Sequence, residues 1–143
     1  MDRFRQSRRD DPIVAYLKAL KIIVGAKGEI ADSELEAFIS VTSRMGVSDV
    51  VRREMEDFDH SSTTLEEVLP FMTPGGRVAR MLLRDAVHIA RADGTYAAEE
   101  RAAVKQTADF LQIDAGILRE IEQLAEYEEM VEKLNRSIFG SGV

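Results

Sequence analysis

The chain has 143 residues, a length that suits one domain with its own core, and a net charge of −7 at pH 7. It lacks cysteine, which excludes disulfides, thiolate catalysis and thiolate metal sites. Because it has no membrane-length apolar run, no signal-peptide pattern and no basic cluster beyond its N-terminus, we expect a cytoplasmic protein that has no integral membrane segment and does not bind nucleic acid.

The N-terminal segment, residues 1–11, contains four arginines among three aspartates and shows no helical periodicity. We predict a flexible basic arm, because a segment whose one large apolar group is Phe4 cannot bury enough surface to fold. Contact with an acidic partner or an anionic lipid is the functional alternative to a solvated terminus.

Three helices are predicted between residues 12 and 59. The first begins at Asp11, whose carboxylate is a suitable N-cap and which is followed by a proline at the first helical position. Its apolar residues recur at helical spacing, whereas Lys21 is expected to face solvent. The second helix follows a glycine turn and covers about residues 31–45, and Ser48 caps the third.

Residues 60–73 form a polar connector that contains one short helix with a capping box at its start. Thr73 and Pro74 are predicted to begin the fifth helix, as its cap and its first residue, and Val78 is expected in the core stripe of that helix. An anion site at this helix N-terminus, built from the following glycine pair and Arg77, is the functional alternative.

A sixth and a seventh helix follow a turn at Asp93. The seventh is capped by Asp114 and continues for roughly 25 residues, with an apolar stripe that includes Leu124, Val131 and Ile138. We expect the C-terminal extension of this helix, which continues well beyond the end of the third helix's pattern, to pack back across the first three helices. A homodimer contact is the alternative, so the protein is predicted to be a monomer or a homodimer.

Two stretches of the chain share one pattern at an offset of 66 residues, the difference between Gly28 and Gly94. In each, a helix ends, a glycine makes a turn, and a new helix begins with an acid in its first turn. The same offset aligns Leu17 with Leu83, Ile23 with Ile89, and Ala37 with Ala103. We therefore predict one all-α domain of about seven helices over residues 12–139, with repeat one at 12–59, a connector at 60–73 and repeat two at 74–139.

The repeated turn resembles that of the tellurite-resistance TerB-like family, in which alanine, aspartate and glycine precede a glutamate by a fixed interval. Here those residues are Ala92, Asp93, Gly94 and Glu100, and the resemblance covers most of the chain. It implies an all-helical two-repeat domain that is bacterial and cytoplasmic. It also implies that the acids at the helix turns bind a divalent metal; carried over, these are Asp93, Glu100 and Glu34. The first copy departs from the family pattern at Lys27, which replaces an aspartate.

The residues of the second turn allow two explanations. Asp93 lies at a helix C-terminus, where the helix dipole disfavours a carboxylate. Calcium or magnesium shared with Glu99 or Glu100 would offset this effect, since both ions prefer oxygen ligands. The local alternative is an Asx turn at Asp93, with Glu100 and Glu34 each forming half of a capping box. Lys27 could also pair with Asp93 or Glu100 and replace the cation.

No catalytic constellation is evident, so we predict that the protein is not an enzyme. The first functional hypothesis is a TerB-like module that binds a divalent cation or other proteins in a stress-response or tellurite-resistance assembly. The second is an adaptor or scaffold whose turn acids are purely structural. The third is an enzyme that uses Asp93, Glu100 and His88 around a metal.

Overall fold

The computed structural model describes residues 11–140, and this part of the chain contains seven α-helices and no strand. The α-helices are α1 (Pro12–Val24), α2 (Asp32–Arg44), α3 (Asp49–Asp57), α4 (Leu65–Val68), α5 (Arg77–Ala90), α6 (Ala98–Phe110) and α7 (Ala115–Phe139). Short 3₁₀ turns follow α1, α4 and α5, at Gly25–Lys27, Leu69–Phe71 and Arg91–Asp93. The all-α prediction is confirmed, and none of the seven helices is long and apolar enough to cross a membrane. All but the last residue of the predicted N-terminal arm lies outside the described residues.

The two repeats have the same order of elements. The series α1, 3₁₀ turn and α2 recurs as α5, 3₁₀ turn and α6, and the equivalent pairs Leu17 and Leu83, and Ile23 and Ile89, are all fully buried. The 3₁₀ turn of repeat one lies against α6, and the 3₁₀ turn of repeat two lies against α2. These reciprocal contacts bring equivalent parts of the two repeats together.

Helices α1 and α5 form the centre of the core and pack against each other. Most residues of α1 are buried, as its apolar periodicity predicts. The aromatic ring of Tyr16 on α1 is buried in this contact, and its hydroxyl donates a hydrogen bond to the carboxylate of Asp85 on α5. The hydrogen bond satisfies a polar group that burial would otherwise leave unpaired, so it ties the first repeat to the second.

The prediction that Lys21 faces solvent is wrong. Its side chain is buried, and Nζ donates hydrogen bonds to the carbonyl oxygens of Met55 at 2.8 Å and Glu56 at 2.7 Å. The last carbonyls of a helix have no partner within the helix, and a cation there also complements the helix dipole. Lys21 therefore closes the C-terminus of α3, although burial lowers the pKa of its ammonium group.

The predicted start of the fifth helix is also wrong. Helix α5 begins at Arg77 with Gly76 as its N-cap residue, rather than at Thr73 and Pro74. The chain first turns at Gly75, which has a φ of 70° and donates its N–H to the carbonyl of Leu111 at 2.6 Å. This turn delays the helix by three residues, and Val78 lies 55% exposed instead of in the core.

Helix α7 packs mainly along α5 and α6, both in the second repeat, and not across the first three helices as predicted. Leu118 and Ala125 are its buried residues. Ion pairs on either side of this contact, from Arg84 to Glu128 and from Arg91 to Glu129, fix the helix against α5 and the turn that follows it. From residue 131 onward every residue of α7 is exposed.

Candidate functional site

The ammonium group of Lys27 lies among three carboxylates where the two repeats meet. Its Nζ atom is 2.7 Å from Glu34 Oε1, 2.7 Å from Asp93 Oδ2 and 4.0 Å from Glu100 Oε2. Lys27 and Asp93 are equivalent positions of the two repeats, as are Glu34 and Glu100, so the cluster consists of two equivalent pairs. We call these four residues the acid cluster.

The turn before α6 has the local geometry that the sequence predicts. Asp93 Oδ1 accepts the N–H of Thr95 at 2.9 Å and the hydroxyl of Thr95 at 2.9 Å, which makes an Asx turn. Gly94 has a φ of 86°, in the left-handed region that favours glycine. One oxygen of Asp93 therefore stabilises its own turn, while the other binds Lys27 of the other repeat.

The two buried glutamates cap the helices that carry them. Glu34 Oε1 accepts the N–H of Ala31 at 2.9 Å, and Glu100 Oε1 accepts the N–H of Ala97 at 3.1 Å. Because alanine has no side-chain acceptor, each helix start has only the glutamate half of a capping box, as predicted. Both glutamate side chains are 0% exposed, so the caps lie in the interior of the protein.

Burial and hydrogen bonding shift the pKa values of Glu100 and Lys27 in the acid cluster. Burial and a hydrogen bond with Glu34 raise the pKa of Glu100 to about 8. This shift favours the protonated form of Glu100, and its proton can link the inner oxygens of the two glutamates, which have no other hydrogen-bond partner among the described residues. Partial burial acts against the charged form of Lys27, but hydrogen bonds to Asp93 and Glu34 outweigh it and raise the pKa of Lys27.

The structure brings three of the four predicted metal ligands together. Glu34, Asp93 and Glu100 share the acid cluster, whereas Glu99 is exposed on the first turn of α6. A calcium ion needs six to eight oxygen ligands at about 2.3–2.6 Å. Here the ammonium of Lys27 lies between the carboxylates, 2.7 Å from Glu34 and 2.7 Å from Asp93. Over residues 11–140, no group of three or more acids and histidines has an arrangement that could hold a metal. The cluster in this form fits an ammonium ion, and the metal site stays a prediction.

His60 supports the turn that carries Lys27, a role that the sequence reasoning missed. Its Nε2 atom lies 2.7 Å from the carbonyl oxygen of Gly28. Its ring also packs so closely on Gly25 that a Cβ at that position would lie 2.2 Å from the ring. The absence of a side chain at residue 25, directly after α1, was the available signal for this close approach.

His88, the residue named in the enzyme hypothesis, is exposed on α5. The aspartate one turn before it, Asp85, binds the hydroxyl of Tyr16. Asp85 therefore has a structural role in the contact between α1 and α5, and the structure does not pair it with His88.

Comparisons with known proteins agree with this architecture. A family model described as tellurite resistance protein TerB matches residues 14–123, which include both turns and all of the acid cluster. The crystal structure of a tellurite resistance protein from Nostoc punctiforme is similar, with a TM-score of 0.73 at 25% sequence identity. The similarity covers 91% of this chain and 81% of that chain. No curated protein matches the sequence.

Proposed function

Because the chain belongs to the TerB family, we propose that it is a non-catalytic, cytoplasmic module that acts by binding other proteins in a stress-response assembly. In this proposal Lys27 is a built-in cation that takes the place of a divalent metal in the acid cluster. The turn acids then stabilise the fold, and partner proteins bind to the surface of the module.

The observation that carries the proposal is the position of the Lys27 ammonium, 2.7 Å from carboxylates of both repeats. A cation in that position offsets one unit of the negative charge that Asp93 and Glu34 bring together, without any ion from solution. It also joins repeat one to repeat two, which is the structural role that a shared metal would have.

The burial of the glutamates supports a role without turnover. A general acid or base must come within hydrogen-bond distance of its substrate, directly or through one water. Glu34 and Glu100 are 0% exposed and each already caps a helix. The raised pKa of Glu100 is therefore explained by its burial between the repeats and needs no catalytic function.

A calcium or magnesium site remains the second candidate. Its support is the pair of buried oxygens, Glu34 Oε2 and Glu100 Oε2, which have no hydrogen-bond partner among residues 11–140 other than each other. These oxygens and Asp93 are the ligand type that both ions prefer. Such an ion would have to displace the ammonium of Lys27, whose side chain is 19% exposed and could move outward.

Calorimetric titration of chelator-stripped protein with calcium and then magnesium distinguishes the two candidates. We expect no binding heat from the wild type and a gain of affinity in Lys27→Asp, which restores the family's aspartate and removes the competing ammonium. Binding by the wild type that the double variant Asp93→Asn, Glu100→Gln loses would instead favour the metal site. Equal affinity of the wild type and Lys27→Asp would contradict the role given to Lys27.

The non-catalytic part of the proposal has its own test. Hydrolysis of a phosphoester by the purified protein in the presence of a divalent metal, lost in His88→Ala, would contradict it and restore the enzyme hypothesis. We expect no turnover with either protein.

A further inference from the structure

The second half of α7 carries an apolar face that nothing covers among the described residues. The residues of this face, 44–67% exposed, are Leu124, Tyr127, Val131, Leu134 and Ile138. They follow one another at alternating steps of three and four residues, the spacing of the seam between two paired helices. We call these five residues the α7 seam.

The seam lies on the side of α7 opposite to its contact with the domain. At about 100° of rotation per residue, Val131 and Leu134 point away from Ala125, which is buried against the body of the protein. The ion pair from Arg84 to Glu128 further fixes the orientation of the helix. The seam is therefore a preformed surface, and a partner would not have to order it.

We propose that the α7 seam pairs with the same seam of a second copy of this chain, forming a symmetric homodimer. The argument for a second copy is the charge of the seam's borders. One border consists of Gln123, Met130 and Ser137, which are neutral. The other border consists of Asn135 and Glu128. The charge of Glu128 is neutralised by an ion pair with Arg84, in which Nη2 lies 2.6 Å from Oε2.

In a symmetric dimer each border of the seam faces a border of the same composition on the other copy. Because these borders carry no free charge, no like charges meet when two copies pair. Paired helices that select a different partner use complementary charges at these border positions. The α7 seam has no such charges to offer a charged partner. The five side chains of the seam and that of Met130 are each 44–67% exposed, so pairing of two copies would remove twelve large apolar side chains from water.

Other occupants of the seam are less well matched. Residues 1–10 contain one large aromatic residue, Phe4, which is too little to cover five apolar side chains. An anionic membrane would meet the acids next to the seam, such as Glu126 and Glu132, rather than the lysines and arginines of a membrane-surface helix.

The dimer also carries twice the net charge of −7, so the two copies repel each other. Added salt screens this repulsion and should strengthen the dimer.

Sedimentation velocity on the full chain tests the dimer, with Val131→Glu as the disrupting variant. Val50→Glu is the matched control, because Val50 on α3 is 56% exposed and Val131 is 57% exposed. At about 100 µM, where micromolar complexes form, we expect twice the 16.0 kDa chain mass for the wild type and for Val50→Glu. Val131→Glu should weaken dimerisation by about 100-fold or more, because the charge enters the contact twice.

Cysteine crosslinking gives an independent result, because the chain has no cysteine of its own. We expect Val131→Cys to form a disulfide-linked dimer under mild oxidation and Val50→Cys to remain a monomer. A wild type with the mass of one chain, a Val131→Glu variant that still dimerises while folded, or equal crosslinking at both positions would each overturn the proposal. None of these results depends on the acid cluster.

Discussion

Replacement of Lys27 by methionine removes the cation from the acid cluster while keeping a long apolar side chain. Glu34, which is 0% exposed, then loses an ammonium at 2.7 Å, and Asp93 loses one at the same distance. The variant leaves the helix caps and the Asx turn intact, because neither uses Lys27. It therefore isolates the electrostatic contribution of one residue.

The expected loss follows from the burial of the partners. Removal of one member of a buried ion pair costs about 3–5 kcal/mol, because the other member stays buried without compensation. Lys27 and Asp93 are each 19% exposed, so water can partly solvate the remaining charge and we expect the lower end, about 3 kcal/mol. For a chain of this size that loss lowers the melting temperature by about 10 °C.

Urea and thermal unfolding measure the loss of stability in Lys27→Met, in Asp93→Asn and in the variant that combines these two substitutions, each compared with the wild type. The double-mutant cycle should give a coupling free energy of about 1–2 kcal/mol between the two residues. Lys105→Met, a substitution at an exposed lysine on α6, is the control and should change stability by less than about 0.5 kcal/mol. A loss below about 1 kcal/mol for Lys27→Met, or no coupling, would refute the reasoning.

Three further predictions concern the residues around this cluster. The pKa of Glu100 is raised from 4.5 to about 8 in the folded protein, so its stabilising effect is complete below pH 4.5 and is lost as the pH rises through 8. The melting temperature should therefore fall over that range in the wild type and in the exposed control Glu99→Gln, and fall less in Glu100→Gln. Lys21→Met leaves two helix-end carbonyls without a donor and should lower the free energy of unfolding by about 1–3 kcal/mol in urea titrations. Gly25→Ala should lower the melting temperature because its methyl group would lie 2.2 Å from the ring of His60, and the added substitution His60→Ala should restore part of the loss; no restoration would argue against that contact.

The acid cluster was largely predictable because the duplication carries three-dimensional information. At an offset of 66 residues Lys27 corresponds to Asp93 and Glu34 to Glu100, and the structure places Lys27 and Asp93 in direct contact. Helix caps and glycine turns are set by neighbouring residues, so their positions also follow from the sequence. The pairing of Lys27 with Asp93, one of the alternatives considered from the sequence, is the contact found in the structure.

The packing of α7 was not predictable from its apolar stripe. The large residues of that stripe, such as Leu124 and Val131, are exposed, and the small residue Ala125 is buried. A small residue lets two helices approach closely, and such a contact shows no strong signal in a hydrophobic pattern. The same limit applies to Lys21. Local sequence rules place a lysine ammonium in solvent, and the carbonyls of α3 that bind it are more than 30 residues away in the chain.

The ammonium resonance of Lys27 in a ¹H–¹⁵N spectrum of labelled protein tests most directly the claim that this residue is the cation of the acid cluster. Hydrogen bonds to two carboxylates slow the exchange of ammonium protons with water, so we predict a sharp signal that is absent from Lys27→Met and unchanged by excess calcium. A signal that exchanges as fast as that of an exposed lysine, or one that calcium displaces to that state, would contradict the account and assign the cluster to a metal.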